Sequence, residues 1–304
     1  LSAALSALSL AYVAGAAVAY LGQRETEGPT RRARTWFTAS LVAMTVGQLM
    51  WDAFVYVGYN PFPGPAELPF LCVGIFIFVG LATYLGGLRG AERWACALDS
   101  VGITLAVLTL TLALYLPRRG DFSAFAAVVL VAYPVILLGA SGTALVVMVA
   151  YRARPTFSSA HFVASVLSLG VCWIVWNWRT LEGTLEDAAF INYAYSYAAL
   201  SFGLAAARFE IPAHKAPELE RPYYLLSSSV PLVLVLVAAI ALVFGQELGP
   251  VTYVAIRVCV VLVVLIAVAR QSLLLRERDE VLRAERTVRA LVDDLAAPHA
   301  VVGQ

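Results

Sequence analysis

Apolar residues fall into nine blocks along the chain: Ser2–Leu21, Thr35–Val57, Leu68–Leu85, Ala95–Leu116, Ser123–Tyr151, Ser158–Trp178, Ala188–Ala207, Tyr224–Gly245 and Val251–Ala269. Each has the length, about 18 residues or more, that an α-helix needs to cross a bilayer. Inside lipid every backbone N–H and C=O must be paired within its own segment, and no ten-residue alternation argues for a barrel. The pattern predicts an all-α, polytopic helical membrane protein of about nine transmembrane helices. Pro134 leaves open whether the fifth block is one helix or two.

The ninth block does not end where a membrane would. From Arg270 it continues as a charged helical stretch with no Gly or Pro before Pro298. Leu274, Val281, Val288 and Leu295 recur every seven residues, and Ala284 and Leu291 form a second seam that Glu277 interrupts. Such a stripe keeps one face against a partner helix, and a helix this short is marginal alone, so a dimer mate is expected. The other reading is an amphipathic helix lying on anionic lipid. Glu277, Asp279, Glu280 and Glu285 nearly cancel its arginines, which favours the stalk. The chain then divides into a transmembrane sensory domain (1–269), a coiled-coil signalling helix (270–295) and the start of a linker or output domain (296–304).

Composition agrees with the pattern: 61% of the 304 residues are apolar and 13% charged, and mean hydropathy is +0.80. Soluble domains carry about 25% charge. A net charge of +1 gives no case for nucleic acid as a partner. Cys72, Cys96, Cys172 and Cys259 all sit in apolar blocks without CxxC spacing, so they read as small buried hydrophobes. Basic residues are unevenly placed. Loops after odd-numbered blocks hold eleven (Arg24, Arg31, Arg32, Arg34, Arg89, Arg93, Arg152, Arg154, Arg208, Lys215, Arg221), and the opposite loops hold Arg118, Arg119 and Arg179. The positive-inside rule then puts the N-terminus outside and the C-terminus in the cytoplasm.

An internal echo runs through the blocks. Leu41–Leu85 and Phe162–Ala207 each read as apolar helix, aromatic end, short loop, acid, apolar helix, with Glu67 in the first and Glu186 and Asp187 in the second. Leu98–Val149, with Tyr115 and Asp121, is a looser copy.

Four short motifs carry a family resemblance: Pro65-Ala66-Glu67-Leu68-Pro69-Phe70, Leu98-Asp99-Ser100, Ala132-Tyr133-Pro134 and Leu185-Glu186-Asp187. Over roughly 35–295 the chain resembles the N-terminal multi-span membrane sensory region of bacterial GGDEF/EAL (cyclic-di-GMP) signalling proteins and related sensor histidine kinases. The resemblance implies a sensor in the bacterial cytoplasmic (inner) membrane, working as a homodimer through its last helix on an output domain beyond it. The GGDEF and EAL signatures themselves are absent from this sequence.

Candidate ligand-binding residues come from polar groups at membrane depth, which are costly there. Arg257 lies about two turns into the last block, and Asp52 in the second block is its best acidic partner. Such a pair could hold a carboxylate or phosphate head group, since a guanidinium forks onto both. Trp51, Tyr56, Trp173, Tyr193 and Tyr253, with the amides of Asn177 and Asn192, stand near that level. Together they predict an apolar site for a small or lipid-like ligand. The alternatives are a snorkelling Arg257 and an interfacial aromatic belt.

Other chemistries fail. Gly139-Ala140-Ser141-Gly142 matches the GxSG of rhomboid proteases, but Ser141 and His161 differ in depth by about 10 Å, beyond nucleophile–base reach. The lone lysine, Lys215, sits in a loop, and His161 is the only histidine in a block, so no retinal, haem, metal or other cofactor is expected and this region reads as no enzyme. A transporter or permease, or a membrane scaffold subunit, is the rival reading. Paired Gly/Pro-broken half-helices, the usual transporter signal, are missing.

Overall fold

The computed structural model describes residues 3–59, 62–88, 90–118, 120, 122–184, 190–211, 217–245 and 248–296. Arg89, Arg119, Asp121, Glu186, Asp187, Lys215 and all of 297–304 lie outside the described residues, and so does the side chain of Leu295. Among the described residues, nine α-helices follow the nine blocks: α1 Ala3–Gln23, α2 Gly28–Tyr56, α3 Glu67–Leu85, α4 Gly90–Tyr115, α5 Ala124–Ala150, α6 Phe157–Glu182, α7 Phe190–Arg208, α8 Glu220–Gly245 and α9 Pro250–Ala296. Seven of them are long and apolar enough to cross a membrane. The two others are α1, of which Ala7–Gln23 counts as a shorter apolar helix, and α7, diluted by Asn192, five tyrosine and serine positions beyond it, and Arg208.

Local chemistry sets the boundaries. Ser123 caps α5 by accepting from Ala126 N at 3.1 Å. Thr156 and Ser159 form a reciprocal capping box at the start of α6, and Gly183, at φ 65°, ends that helix in the left-handed conformation. Pro250 opens α9, where its missing N–H costs nothing. The fifth block is one helix despite Pro134.

The helices form two groups. α1, α2, α3, α5, α6 and α7 pack in that order as a ring, closed by α7 against α1. Outside it, α4 lies on α5 and carries α8 and α9. The ring's core reaches from Phe37, Phe162, Phe202 and Phe209, all fully buried, through Ile77 and Leu169 to Tyr133 and Tyr195. A smaller core of Ala106, Leu234, Ala238 and Val263 joins α4, α8 and α9. α5, wedged between the groups, has 61% of its span buried, whereas α8 and α9 have 22% each. The latter two therefore present mostly apolar surface outward. Each echoed stretch of sequence is a packed helix pair: α2 with α3, α4 with α5, α6 with α7.

Arg34, counted above among loop charges, is a buried structural residue. Its Nη1 donates to Gly22 O at 3.0 Å and its Nε to Phe209 O at 2.9 Å. One guanidinium thus takes up carbonyls at the C-terminal ends of α1 and α7, where helices leave such acceptors unmatched.

α9 runs for 47 residues without a break, about 70 Å at 1.5 Å per residue. It projects from one end of the bundle, the stalk side; the opposite end is the far side.

Candidate functional site

On the far side, the interior of the ring is polar and aromatic. Asp52, on α2, accepts from Gln48 Nε2 at 2.8 Å and from the Ser9 hydroxyl of α1. Glu67 stands at the first turn of α3, where the helix dipole favours a carboxylate, and is only 6% exposed. The hydroxyl of Tyr133, on α5, donates to it. The Tyr133 ring lies flat on Trp173 at 3.9 Å between centroids. Trp173 in turn meets Phe70 at 5.6 Å and Tyr195 at 5.5 Å, both edge-on. Tyr195 continues to Trp176, and Trp176 to Trp51, beside Asp52. Aromatic contact therefore runs unbroken between the two acids.

The site residues expected from sequence divide. Asp52, Trp51 and Trp173 belong to this interior, and Asn192 is buried one turn from Tyr195, whereas Asn177 is buried against Leu130 in the cluster that includes Tyr115 of α4. Tyr56 is 79% and Tyr193 54% exposed, so both face away from it. Arg257 and Tyr253 lie on α9, in the other helix group, with the guanidinium exposed and 5.3 Å from the Tyr253 ring. The expected Arg257–Asp52 pair is thus not formed, because sequence places residues in depth but not around the bundle. Among the described residues neither Asp52 nor Glu67 makes an ion pair. Among the described residues the two acids meet neutral donors, Ser9, Gln48 and Tyr133, and not the guanidinium that was to hold a carboxylate or phosphate.

Asn177 has a specific task. Pro134 has no N–H, so the carbonyl of Leu130 loses its helical donor. Asn177 Nδ2 supplies one at 2.7 Å. This is how a proline is kept inside a membrane helix, by a neighbouring side chain. The Oδ1 atom of the same amide is buried with no protein partner among the described residues.

The stalk side holds a second constellation, which sequence reading missed. Asp99 (α4) and Arg270 (α9) form an ion pair, Nε to Oδ1 at 3.0 Å and Nη2 to Oδ2 at 3.1 Å, with 7% and 2% of their side chains exposed. Arg270 Nη2 also donates to Ser227 O at 2.7 Å and Ser227 Oγ at 2.8 Å on α8. Ser227 stands four residues before Pro231, so its carbonyl is the one that proline frees. One guanidinium therefore joins three helices at the point where α9 leaves the apolar core. Asp99 was in view as part of a motif and Arg270 as the first stalk residue. The signal that connects them is an interior proline whose orphan carbonyl lies at the depth of a buried donor.

Nearby, Arg152 bridges Glu92 of α4 at 2.8 Å and Glu220 of α8 at 3.3 Å. Beside it Tyr151 donates to Tyr84 O at 2.5 Å. The rhomboid-like pair is apart: Ser141 donates to Val163 O, and His161 meets Ser201 at 2.7 Å.

The stripe on α9 is bare. Val281 and Val288 are about three-fifths exposed, and Leu291 is alike, while Leu274 is half-buried against the bundle. Comparison with protein-family models, with characterised proteins and with solved structures finds no match to this chain.

Proposed function

We propose that this chain is the membrane-integral sensory module of a bacterial signal-transduction protein. It detects a small or lipid-like ligand, or the state of the membrane, and relays it through a dimeric α9 to a cytoplasmic output domain of the cyclic-di-GMP or kinase kind. In this reading all nine helices span the inner membrane, with the N-terminus outside. The carrying observation is the continuity of α9: one helix bears Arg257 at its far end, the buried Arg270 at its exit and the bare Val281–Val288 stripe beyond. Because Arg270 is tied to α4 and α8, any rotation or shift of α9 changes that buried contact. Two positions of α9 with different contacts are what a ligand needs to bias a population.

Cysteine cross-linking in native membranes tests this. Single cysteines through 274–292 are expected to cross-link between copies with maxima at 274, 281 and 288. A flat profile would remove the dimeric relay. Substrate-dependent flux in proteoliposomes would replace the sensor with a transporter.

A further inference from the structure

Between the ring and the outer helix group runs a cleft of about 800 Å³, with α4 at its back, α5 on one side and α8 and α9 on the other. Its walls within the apolar belt include Ile103, Leu145, Val149 and Val230. Its stalk-side rim is charged. Arg152 lies there between Glu92 and Glu220, with side-chain exposures of 40%, 42% and 67%. Glu277 and Arg278 of α9 line the opposite side. Arg152 is also the one described non-glycine residue with positive φ, at 51°. A side chain rarely adopts that conformation, and here the guanidinium spans the gap between α4 and α8.

An apolar cleft that rises from a charged rim at the helix ends has the shape of an acyl chain below its headgroup. The rim also selects among headgroups. Of the charged residues lining the cleft, Asp99 and Arg270 pair with each other, and Glu92, Glu220 and Glu277 outnumber the remaining Arg152 and Arg278, so a purely anionic group meets net repulsion. A phosphate joined to a primary ammonium matches both signs: the phosphate takes the guanidinium fork, and the ammonium has three N–H donors for carboxylates. A quaternary ammonium offers the charge but none of the donors. We propose that this cleft binds one aminophospholipid from the stalk-side leaflet, headgroup on Glu92, Arg152 and Glu220, chain along Leu145, Val149 and Val230. The sensory reading is not needed for this, since binding is read on the purified chain whether or not α9 signals.

Native mass spectrometry of the full chain in detergent, titrated with phosphatidylethanolamine, phosphatidylcholine and phosphatidylglycerol of identical chains, provides the test. One phosphatidylethanolamine is expected to be retained with about tenfold preference over each of the others, a difference of roughly 1.4 kcal/mol. Glu92→Gln with Glu220→Gln should abolish the preference, and the exposed Glu220→Gln alone should reduce it if the pair of changes prevents folding. Leu145→Trp, which fills the apolar wall, should reduce retention of all three lipids. Equal retention by the unaltered protein, a lead for phosphatidylglycerol, or undiminished phosphatidylethanolamine binding by Leu145→Trp would each overturn the assignment.

Discussion

Arg270 reaches across from α9 to the carbonyl of Ser227, the acceptor that Pro231 leaves without a helical donor, at 2.7 Å. The same relation holds between Asn177 and Leu130 at Pro134, at the same distance. Two interior prolines in two different helices are thus each answered by one side chain from a neighbour. The two answers differ in kind. An amide does it within the ring, and a guanidinium already paired with Asp99 does it in the outer group.

Arg270→Leu is expected to destabilise the protein by about 3–5 kcal/mol, because it leaves Asp99 buried and unpaired. Asp99→Leu with Arg270→Leu should cost less than the sum of the single changes, by about 0.5–3 kcal/mol of coupling. Reversible unfolding in mixed detergent measures both. Strict additivity would mean that the pair does not act as a unit.

For Asn177, the expectation is a loss of about 1–3 kcal/mol in Asn177→Leu, the cost of an unmet buried acceptor. Pro134→Ala restores the N–H four residues beyond Leu130, so in that background the same change should lose much less. An equal loss in both backgrounds would place the role of Asn177 elsewhere.

Hydropathy made the nine helices legible, because span length and backbone pairing are one-dimensional constraints. The block starting at Ala95 begins at Gly90 instead, since Glu92 and Arg93 form a polar first turn that hydropathy cannot distinguish from a loop. Reading by depth also gathered Trp51, beside Asp52, and Trp173, which stand in one aromatic run. Direction around the bundle was not legible. Arg257 and Asp52 share a depth but belong to different helix groups, whereas Glu67 finds its donor in Tyr133, 66 positions away. Arg34 read as a loop charge because nothing local marks an arginine as a cap for two other helices.

Arg257→Ala and Asp52→Ala should accordingly be additive, within about 0.3–0.5 kcal/mol, as distant sites are. A larger coupling energy in the same unfolding assay would bring the two residues together after all.

Tyr133 tests the acidic interior directly. Tyr133→Phe keeps the ring over Trp173 but removes the donor to Glu67, and should cost about 1–3 kcal/mol. Combined with Glu67→Leu, the further loss should fall to near zero. If Tyr133→Phe costs as much in that background, the hydroxyl does not serve Glu67.

Val281→Glu and Val288→Glu change surface that the single chain leaves bare. They should weaken self-association in analytical ultracentrifugation while leaving unfolding within about 0.5 kcal/mol, as for other surface substitutions. Unchanged association would assign the dimer, if any, to another face.

The seam that closes the ring has a consequence for biogenesis. A Cβ on Gly203 would lie 2.5 Å from Gly15 Cα, and one on Gly22 the same distance from Ala207 Cα, so α1 and α7 meet backbone to backbone. Small residues allow that approach in lipid. α1 therefore has to wait for α7 before its glycine face is covered. Until α7 is released from the insertion machinery the barrel of staves stays open, and the far-side carboxylates have no finished enclosure. α8 and α9, made after α7, dock onto a ring that is already shut.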